Sequence, residues 1–189
     1  MMLEPVEPSR TTHISVVDGE GNAAALTAST GAGSGVIVPG TGIHLNNMLG
    51  EHHLNLARRR RRPGGRLTSM MAPSLVLRDG QPRLVVGSAG SARLRGAILQ
   101  TVVNAVGHRL PVDEAIGAPR VHLDDGHVHC EGGFDPGELD ELDRRGYDVV
   151  RWRRRNLYFG GAAAVEMRDG TLAAAGDPRR GGHGIVVGG

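Results

Sequence analysis

The run Thr11-Thr12-His13-Ile14-Ser15-Val16-Val17, the turn Asp18-Gly19-Glu20-Gly21-Asn22 and the run Ala23-Ala24-Ala25-Leu26-Thr27 decide the fold. β-Branched residues are frequent in the first run, glycine and Asx residues fill the turn, and small apolar residues follow. Together they predict a β-hairpin whose ordered structure starts near Thr11. Ahead of it, residues 1–10 carry Pro5 and Pro8 among acidic residues with no periodicity and read as an extended arm. Behind it, Gly31-Ala32-Gly33-Ser34-Gly35 is too small and flexible for the interior of an element and reads as a loop.

Further along, the five arginines Arg58 to Arg62 run into Pro63-Gly64-Gly65, a charged and broken stretch that reads as a solvated loop. Ser74-Leu75-Val76-Leu77 and Arg83-Leu84-Val85-Val86, joined through Arg78-Asp79-Gly80-Gln81, predict a second hairpin that ends in Gly87-Ser88-Ala89-Gly90-Ser91. Leu94, Ala97, Ile98, Thr101, Val102 and Ala105 share one helical face, so Ser91 to Val106 is expected to form an amphipathic helix with Ser91 near its N-cap. Shorter helices are expected over Val112 to Ile116 and Pro136 to Arg145. A last hairpin runs from Gly161 to Met167, through Arg168-Asp169-Gly170, to Thr171 to Ala175. Strands, then helices, then strands give an α+β class with helices packed on antiparallel sheets.

Composition narrows the chemistry. The 189 residues suit one domain with a sizeable core. Aromatic residues are only 3% against 30 glycines, so that core must be built from Val, Leu, Ile, Ala and Met around many tight turns. No apolar run approaches the roughly 20 residues of a membrane helix, and the first ten residues lack the apolar stretch of a signal peptide, which makes a cytoplasmic location the default expectation. All 22 basic residues are arginine, yet the net charge is only +2 and no aromatic residues interleave with Arg58 to Arg62, which argues against a nucleic-acid partner. Cys130, the single cysteine, excludes an internal disulfide and reads as a small buried apolar residue. His52-His53 and the pair His127 and His129 lack carboxylate or thiolate partners at ligand spacing, so neither a metal nor another cofactor is expected.

A threonine hydroxyl is a poor nucleophile unless a base lies beside it. A threonine that becomes the first residue of a chain carries its own base, because an α-amine titrates near about 7.7–8.0. Thr11 stands where cleavage after Arg10 would expose it without damage to the core. Several motifs give that position its meaning. Thr11 to Asp18 with Gly21-Asn22 is followed in order by Gly40-Thr41-Gly42-Ile43 with Leu45-Asn46-Asn47, and by Arg66-Leu67-Thr68-Ser69-Met70 with Pro73. Then come Gly87 to Ser91 with Arg93, Ala118-Pro119-Arg120, and Asp177-Pro178-Arg179. In that order they resemble the small subunit of the γ-glutamyltransferases.

The resemblance spans nearly the whole chain. It implies a precursor that cuts itself in two, and a four-layer αββα sandwich of the N-terminal-nucleophile hydrolase type of which this chain supplies the small-subunit part. It divides the chain into a propeptide-like arm, residues 1–10, and a small-subunit-like domain, residues 11–189. It also implies hydrolysis or transfer of a γ-glutamyl group through an acyl-enzyme on Thr11, a small γ-glutamyl amide as substrate and a large subunit as partner. Position by position, Thr11 resembles the nucleophile and Ser29 the hydroxyl that bonds it. Gly90 and Ser91 resemble paired glycines whose N–H groups form an oxyanion hole, and Thr68 and Ser69 a hydroxyl pair for the substrate α-carboxylate.

Alternatives stand beside several of these roles. Ser29 also suits the end of a strand, Ser91 a helix N-cap, and Thr68-Ser69 an ordinary turn. The chain departs from the family pattern at Gly31, near the place of an asparagine. It departs again at Met48-Leu49-Gly50-Glu51, where the family carries Gln or Glu followed by an acidic pair; there only Glu51 supplies a counter-charge for a substrate ammonium group. These departures leave two other readings: a related acylase that accepts a non-glutamyl acyl group, and an inactive fragment or interaction module without its large subunit.

Overall fold

The structure, a computed structural model, describes residues 11–50, 63–66 and 68–188. The arm, Arg58 to Arg62, His52-His53 and Glu51 lie outside the described residues. Strands β1 (Thr11–Val17) and β2 (Ala23–Ser29) form the antiparallel hairpin, in a register that sets Thr11 opposite Ser29 and His13 opposite Thr27. The Asp18 carboxylate closes the turn by accepting from the N–H groups of Glu20 and Asn22, each at 2.9 Å.

A second, four-stranded antiparallel sheet has the order β3-β4-β8-β9: β3 (Ser74–Arg78), β4 (Gln81–Ala89), β8 (Gly161–Arg168) and β9 (Thr171–Gly176). Its two turns are Asp79-Gly80 and Asp169-Gly170, with positive φ at both residues, the conformation a two-residue hairpin needs. Helices α1 (Leu94–Val102) and α2 (Val112–Gly117) pack on one face of this sheet. Leu84, Val86, Ala162 and Ala164 meet Ile98, Ala105, Val112 and Ile116 there in the main apolar core. The β1–β2 hairpin covers the other face, which is why β4 is buried on both sides from Leu84 to Ala89. The order hairpin, sheet, helices gives two stacked sheets and one helix layer, an α+β sandwich as expected. The outer face of the hairpin presents Ile14, Val16 and Leu26 to the exterior.

The structure departs from the sequence-based expectations at three points. Between the two halves of the main sheet lies a small sheet that periodicity did not reveal: β5 (Val121–Asp124), β6 (His127–Cys130) and β7 (Asp148–Arg151). Its β6 and β7 run parallel, joined through helix α3 (Pro136–Arg144), which Asp135 caps by accepting from Gly137 N–H at 2.8 Å. Ser91 is not the N-cap of α1. It opens a 3-10 turn, Ser91–Arg93, with a left-handed φ of 55°, and no side-chain cap is formed at either helix start. The long helix is also shorter than its apolar stripe, because its last turn widens to a π-helix over Val103–Gly107. Cys130 is buried as expected, and burial pushes its thiol pKa up.

Where the hairpin lies on β4, the His13 imidazole occupies the space a side chain on Gly87 would need, its Cε1 only 2.1 Å from an ideal Cβ position. Gly87→Ala is therefore expected to destabilise the fold by about 1–3 kcal/mol, as overpacking does elsewhere. Gly19→Ala, with open space around it, should be close to neutral. Urea unfolding of both variants checks this, and equal midpoints would contradict the packing argument.

Candidate active site

β1 alternates, so Thr11, His13 and Ser15 share the face turned toward the second sheet while Thr12 and Ile14 look away. The register then brings two hydroxyls together: Thr11 Oγ1 lies 3.0 Å from Ser29 Oγ across the hairpin. Ser29 Oγ also accepts the Gly31 N–H at 3.0 Å, so one of its lone pairs is directed and its remaining hydrogen-bonding capacity faces Thr11. Gly31 is thus a residue that orients Ser29 through its backbone.

His13 is a site residue that motif reading passed over. Its Nε2 lies 2.8 Å from Ser15 Oγ and its Nδ1 2.7 Å from Thr27 Oγ1. Ser15 donates onward to the Ala163 carbonyl of β8 at 3.4 Å. Once Ser15 has spent its hydrogen there, it must accept from His13, which assigns the proton to Nε2 and leaves Nδ1 to accept from Thr27. All these bonds are made by a neutral imidazole. Burial pushes the His13 pKa below its usual value. The signal in sequence was the alternation itself, which sets a polar, aromatic residue on the inward face two positions from Thr11.

Beside Thr11 lies a cavity of about 260 Å³ lined by Thr11, His13, Ala89, Ala162, Asp177 and Arg180 among others. Ala89 ends β4, and the chain continues at once into Gly90, with φ 137°, and Ser91. Gly90 cannot be replaced by a larger residue without movement, because a Cβ there would stand 2.7 Å from Gly160 Cα. Among the described residues, neither the Gly90 nor the Ser91 N–H donates to a carbonyl of the turns and loops. Asp177 at the cavity wall is fully buried. Burial works against its charge, but the Arg120 guanidinium and the N–H groups of Ala162 and Arg179 outweigh it and hold its pKa below the usual carboxylate range.

The structure thus gathers Thr11, Ser29 and the strand that leads into Gly90-Ser91. Thr68 and Ser69 are exposed and are not among the residues that line this cavity; Ser69 Oγ accepts the Met71 N–H at 3.1 Å. Glu51 lies outside the described residues. Among the described residues no cluster of three His, Cys, Asp or Glu side chains could hold a metal, and no helix is long and apolar enough to cross a membrane.

Comparison with known proteins fits this arrangement. The stacked sheets with their helix layer form an α+β sandwich of the N-terminal-nucleophile hydrolase type, and the fold superposes on gamma-glutamyltranspeptidase from Pseudomonas nitroreducens complexed with L-DON. That superposition has a TM-score of 0.77 at 31% identity and covers 94% of this chain and 100% of that one. The model of the gamma-glutamyltranspeptidase family matches residues 2–187, and the chain belongs to that family. It is 35% identical over 198 residues to the glutathione hydrolase proenzyme of Escherichia coli (strain K12), covering 94% of this chain and 33% of that protein. It is 33% identical over 192 residues to the Acylase ACY 1 proenzyme of Pseudomonas sp. (strain SE83), covering 97% of this chain and 33% of that protein. The chain thus spans about a third of the length of these curated relatives.

The neutral state of His13 has a consequence in acid. The unfolded chain protonates this residue at its ordinary pKa of about 6.5, whereas the folded chain resists to lower pH. The stabilising contribution is therefore complete above about pH 6.5 and is lost as pH falls from there toward the lowered folded value. His122 and His129 shift in the same direction, so the comparison must be made with a His13→Asn variant. Calorimetric Tm should fall more steeply between pH 7.5 and 5 in the wild type than in His13→Asn, and parallel slopes would assign the effect to other groups.

Proposed function

We propose that this chain is the nucleophile-bearing portion of a γ-glutamyltransferase-like amide hydrolase and acyltransferase, working with a large subunit and acting through Thr11 as an N-terminal threonine after self-cleavage. The observation that carries this reading is the 3.0 Å approach of the Thr11 and Ser29 hydroxyls at the edge of a cavity whose wall leads into Gly90-Ser91. The relatives named as proenzymes support the processing step.

In self-cleavage, Thr11 Oγ1 attacks the carbonyl carbon of residue 10, the peptide C–N bond breaks to give an ester and a free α-amine, and water hydrolyses the ester. In turnover, the α-amine takes the hydroxyl proton as Oγ1 attacks the substrate amide carbonyl. Ser29 holds Oγ1 in line by its hydrogen bond. Negative charge builds on the former carbonyl oxygen, where the N–H groups of Gly90 and Ser91 serve as donors. A fixed donor of this kind contributes about 3 kcal/mol in other enzymes. The left-handed φ of Ser91 is one that glycine adopts freely, so the serine keeps the backbone course of a glycine pair at a cost of about 1–2 kcal/mol. Collapse expels the amine, which leaves with the proton from the α-ammonium group. Water or an acceptor amine then releases the acyl group from Thr11. Thr68 and Ser69 are assigned to the substrate carboxylate and Glu51 to its ammonium group.

A second reading, an acylase with broader acyl specificity, is favoured by Met48 and by the similarity to an acylase proenzyme. Met48 offers an ammonium group no useful acceptor.

Active material should begin at Thr11 by N-terminal sequencing, and Thr11→Ala should remain uncut and without turnover while Thr12→Ala, whose side chain faces away, is milder. Full activity in a chain that still carries residues 1–10 would refute the mechanism. Specificity constants for a γ-glutamyl anilide and its des-amino glutaryl analogue should be similar. A site that reads the amine through buried polar groups would instead reject the analogue by about 10⁴-fold, which would return strict glutamyl specificity to Glu51.

A further inference from the structure

Arg120 and Asp177 belong to two motifs, Ala118-Pro119-Arg120 and Asp177-Pro178-Arg179, to which the chemistry above assigns no role. They meet in the interior: Arg120 Nη2 lies 2.7 Å from Asp177 Oδ2, with both side chains only 2% exposed. Arg179 and Glu131 complete a square of two cations and two anions. Arg179 reaches Asp177 Oδ1 at 3.1 Å and holds the Glu131 carboxylate by a bidentate pair, its Nε donating at 2.8 Å. The square grips one stretch of backbone repeatedly. Glu131 Oε1 accepts Asn156 N–H at 2.8 Å, Arg120 Nη1 approaches the carbonyls of Phe159 and Gly160 at 3.4 Å, and Asp177 Oδ2 accepts Ala162 N–H at 2.9 Å. Arg93 adds a bond from Nε to the Tyr158 carbonyl at 2.9 Å.

That stretch is what Gly90 rests on. A Cβ on Gly90 would stand 2.7 Å from Gly160 Cα, and a Cβ on Gly160 would stand 3.0 Å from the Ala89 carbonyl oxygen. Backbone lies on backbone with no side chain between them to absorb a shift, so displacement of residue 160 must pass to residues 89 and 90.

We propose that the buried Arg120–Asp177 pair, supported by Arg179 and Glu131, consists of positioning residues for catalysis: it fixes Gly160 so that Gly160 holds the Gly90 N–H where the oxyanion forms. This rests on the reading of Gly90 as an oxyanion donor. Stability alone is a poor reason for such a group, since well-packed apolar residues often replace buried ion pairs without loss. What apolar packing does not supply is direction: Glu131, Arg120 and Asp177 bond backbone atoms of residues 156–162, and the two arginines tie that stretch to the carbonyls of Ile116 and Ala118.

The test uses the chain co-expressed with its large-subunit portion, with Arg120→Met, Arg120→Lys and the charge-balanced double variant Arg120→Met/Asp177→Leu. The double variant leaves no unpaired charge on these two residues and keeps the experiment informative if the single one folds poorly. Two readouts are taken: kcat and KM for a γ-glutamyl anilide, and amide hydrogen exchange of the segment 88–92. In the folded double variant kcat should fall by about 10-fold or more with KM little changed, because a donor to the oxyanion acts in the transition state. Exchange across residues 88–92 should quicken, and Arg120→Lys should recover part of both. A folded double variant with wild-type kcat and wild-type exchange would overturn the proposal. Faster exchange with unchanged kcat would overturn its catalytic half by a different route: Gly160 would hold Gly90, but Gly90 would not be the donor.

Discussion

The placement of Thr11 depends on one contact, the His13 imidazole seated on the bare backbone of Gly87. The β1–β2 hairpin shares no ladder with the four-stranded sheet; it lies across it face to face. Sheets packed this way ordinarily stand about 10 Å apart with side chains interleaved. Here a glycine on β4 leaves a place that one ring fills, and hydroxyls on both hairpin strands bind the two ring nitrogens. The contact combines steric exclusion with directed hydrogen bonds, so it fixes both the height of the hairpin over the sheet and its position along it. Thr11 is two residues away on the same face, too close for an error at His13 to be absorbed before it reaches that residue.

Much of this was legible in the sequence. The three antiparallel hairpins of the two main sheets were readable because their turns carry Asp18 with Asn22, Asp79-Gly80 and Asp169-Gly170, residues that form these turns by local chemistry. Asp125-Gly126 carries the same signal between β5 and β6, and it was missed for a physical reason: flanking runs of four residues with histidines and aspartates show no clear alternation. Parallel pairing of β6 with β7 depends on a partner some twenty residues away, which no local pattern encodes. Ser91 misled for a related reason. A serine before an apolar helical stripe has the composition of an N-cap, but the approach of Gly160 to Gly90 forces the chain into a left-handed turn there. Tertiary contact overrode local preference.

Within the candidate site, the motifs supplied Thr11, Ser29 and Gly90-Ser91, and the register of one hairpin accounts for the first pair. Thr11 and Ser29 are eighteen positions apart, and a hairpin with the turn at residues 18–22 must set them opposite each other. The ionic square could not be read in the same way. Arg120, Glu131, Asp177 and Arg179 lie on three separated segments, and only the folded chain shows that all four are buried and share partners.

The sandwich also explains why so much of the chain's polar chemistry turns inward while apolar side chains face out. In β1 the inward residues are Thr11, His13 and Ser15 and the outward ones include Ile14 and Val16, the reverse of a strand whose outer face meets water. On a free surface such a hairpin would be expected to slip register or turn over, since a one-residue shift exchanges its two faces. Two constraints oppose this: the polar bonds of His13, Thr27 and Ser15, which exist in one register only, and the vacant place at Gly87, which admits that ring and no larger alteration. An apolar outer face is consistent with a further layer over the hairpin, as an αββα sandwich requires, and polar bonds made entirely on the inner face leave that outer face free to serve packing alone.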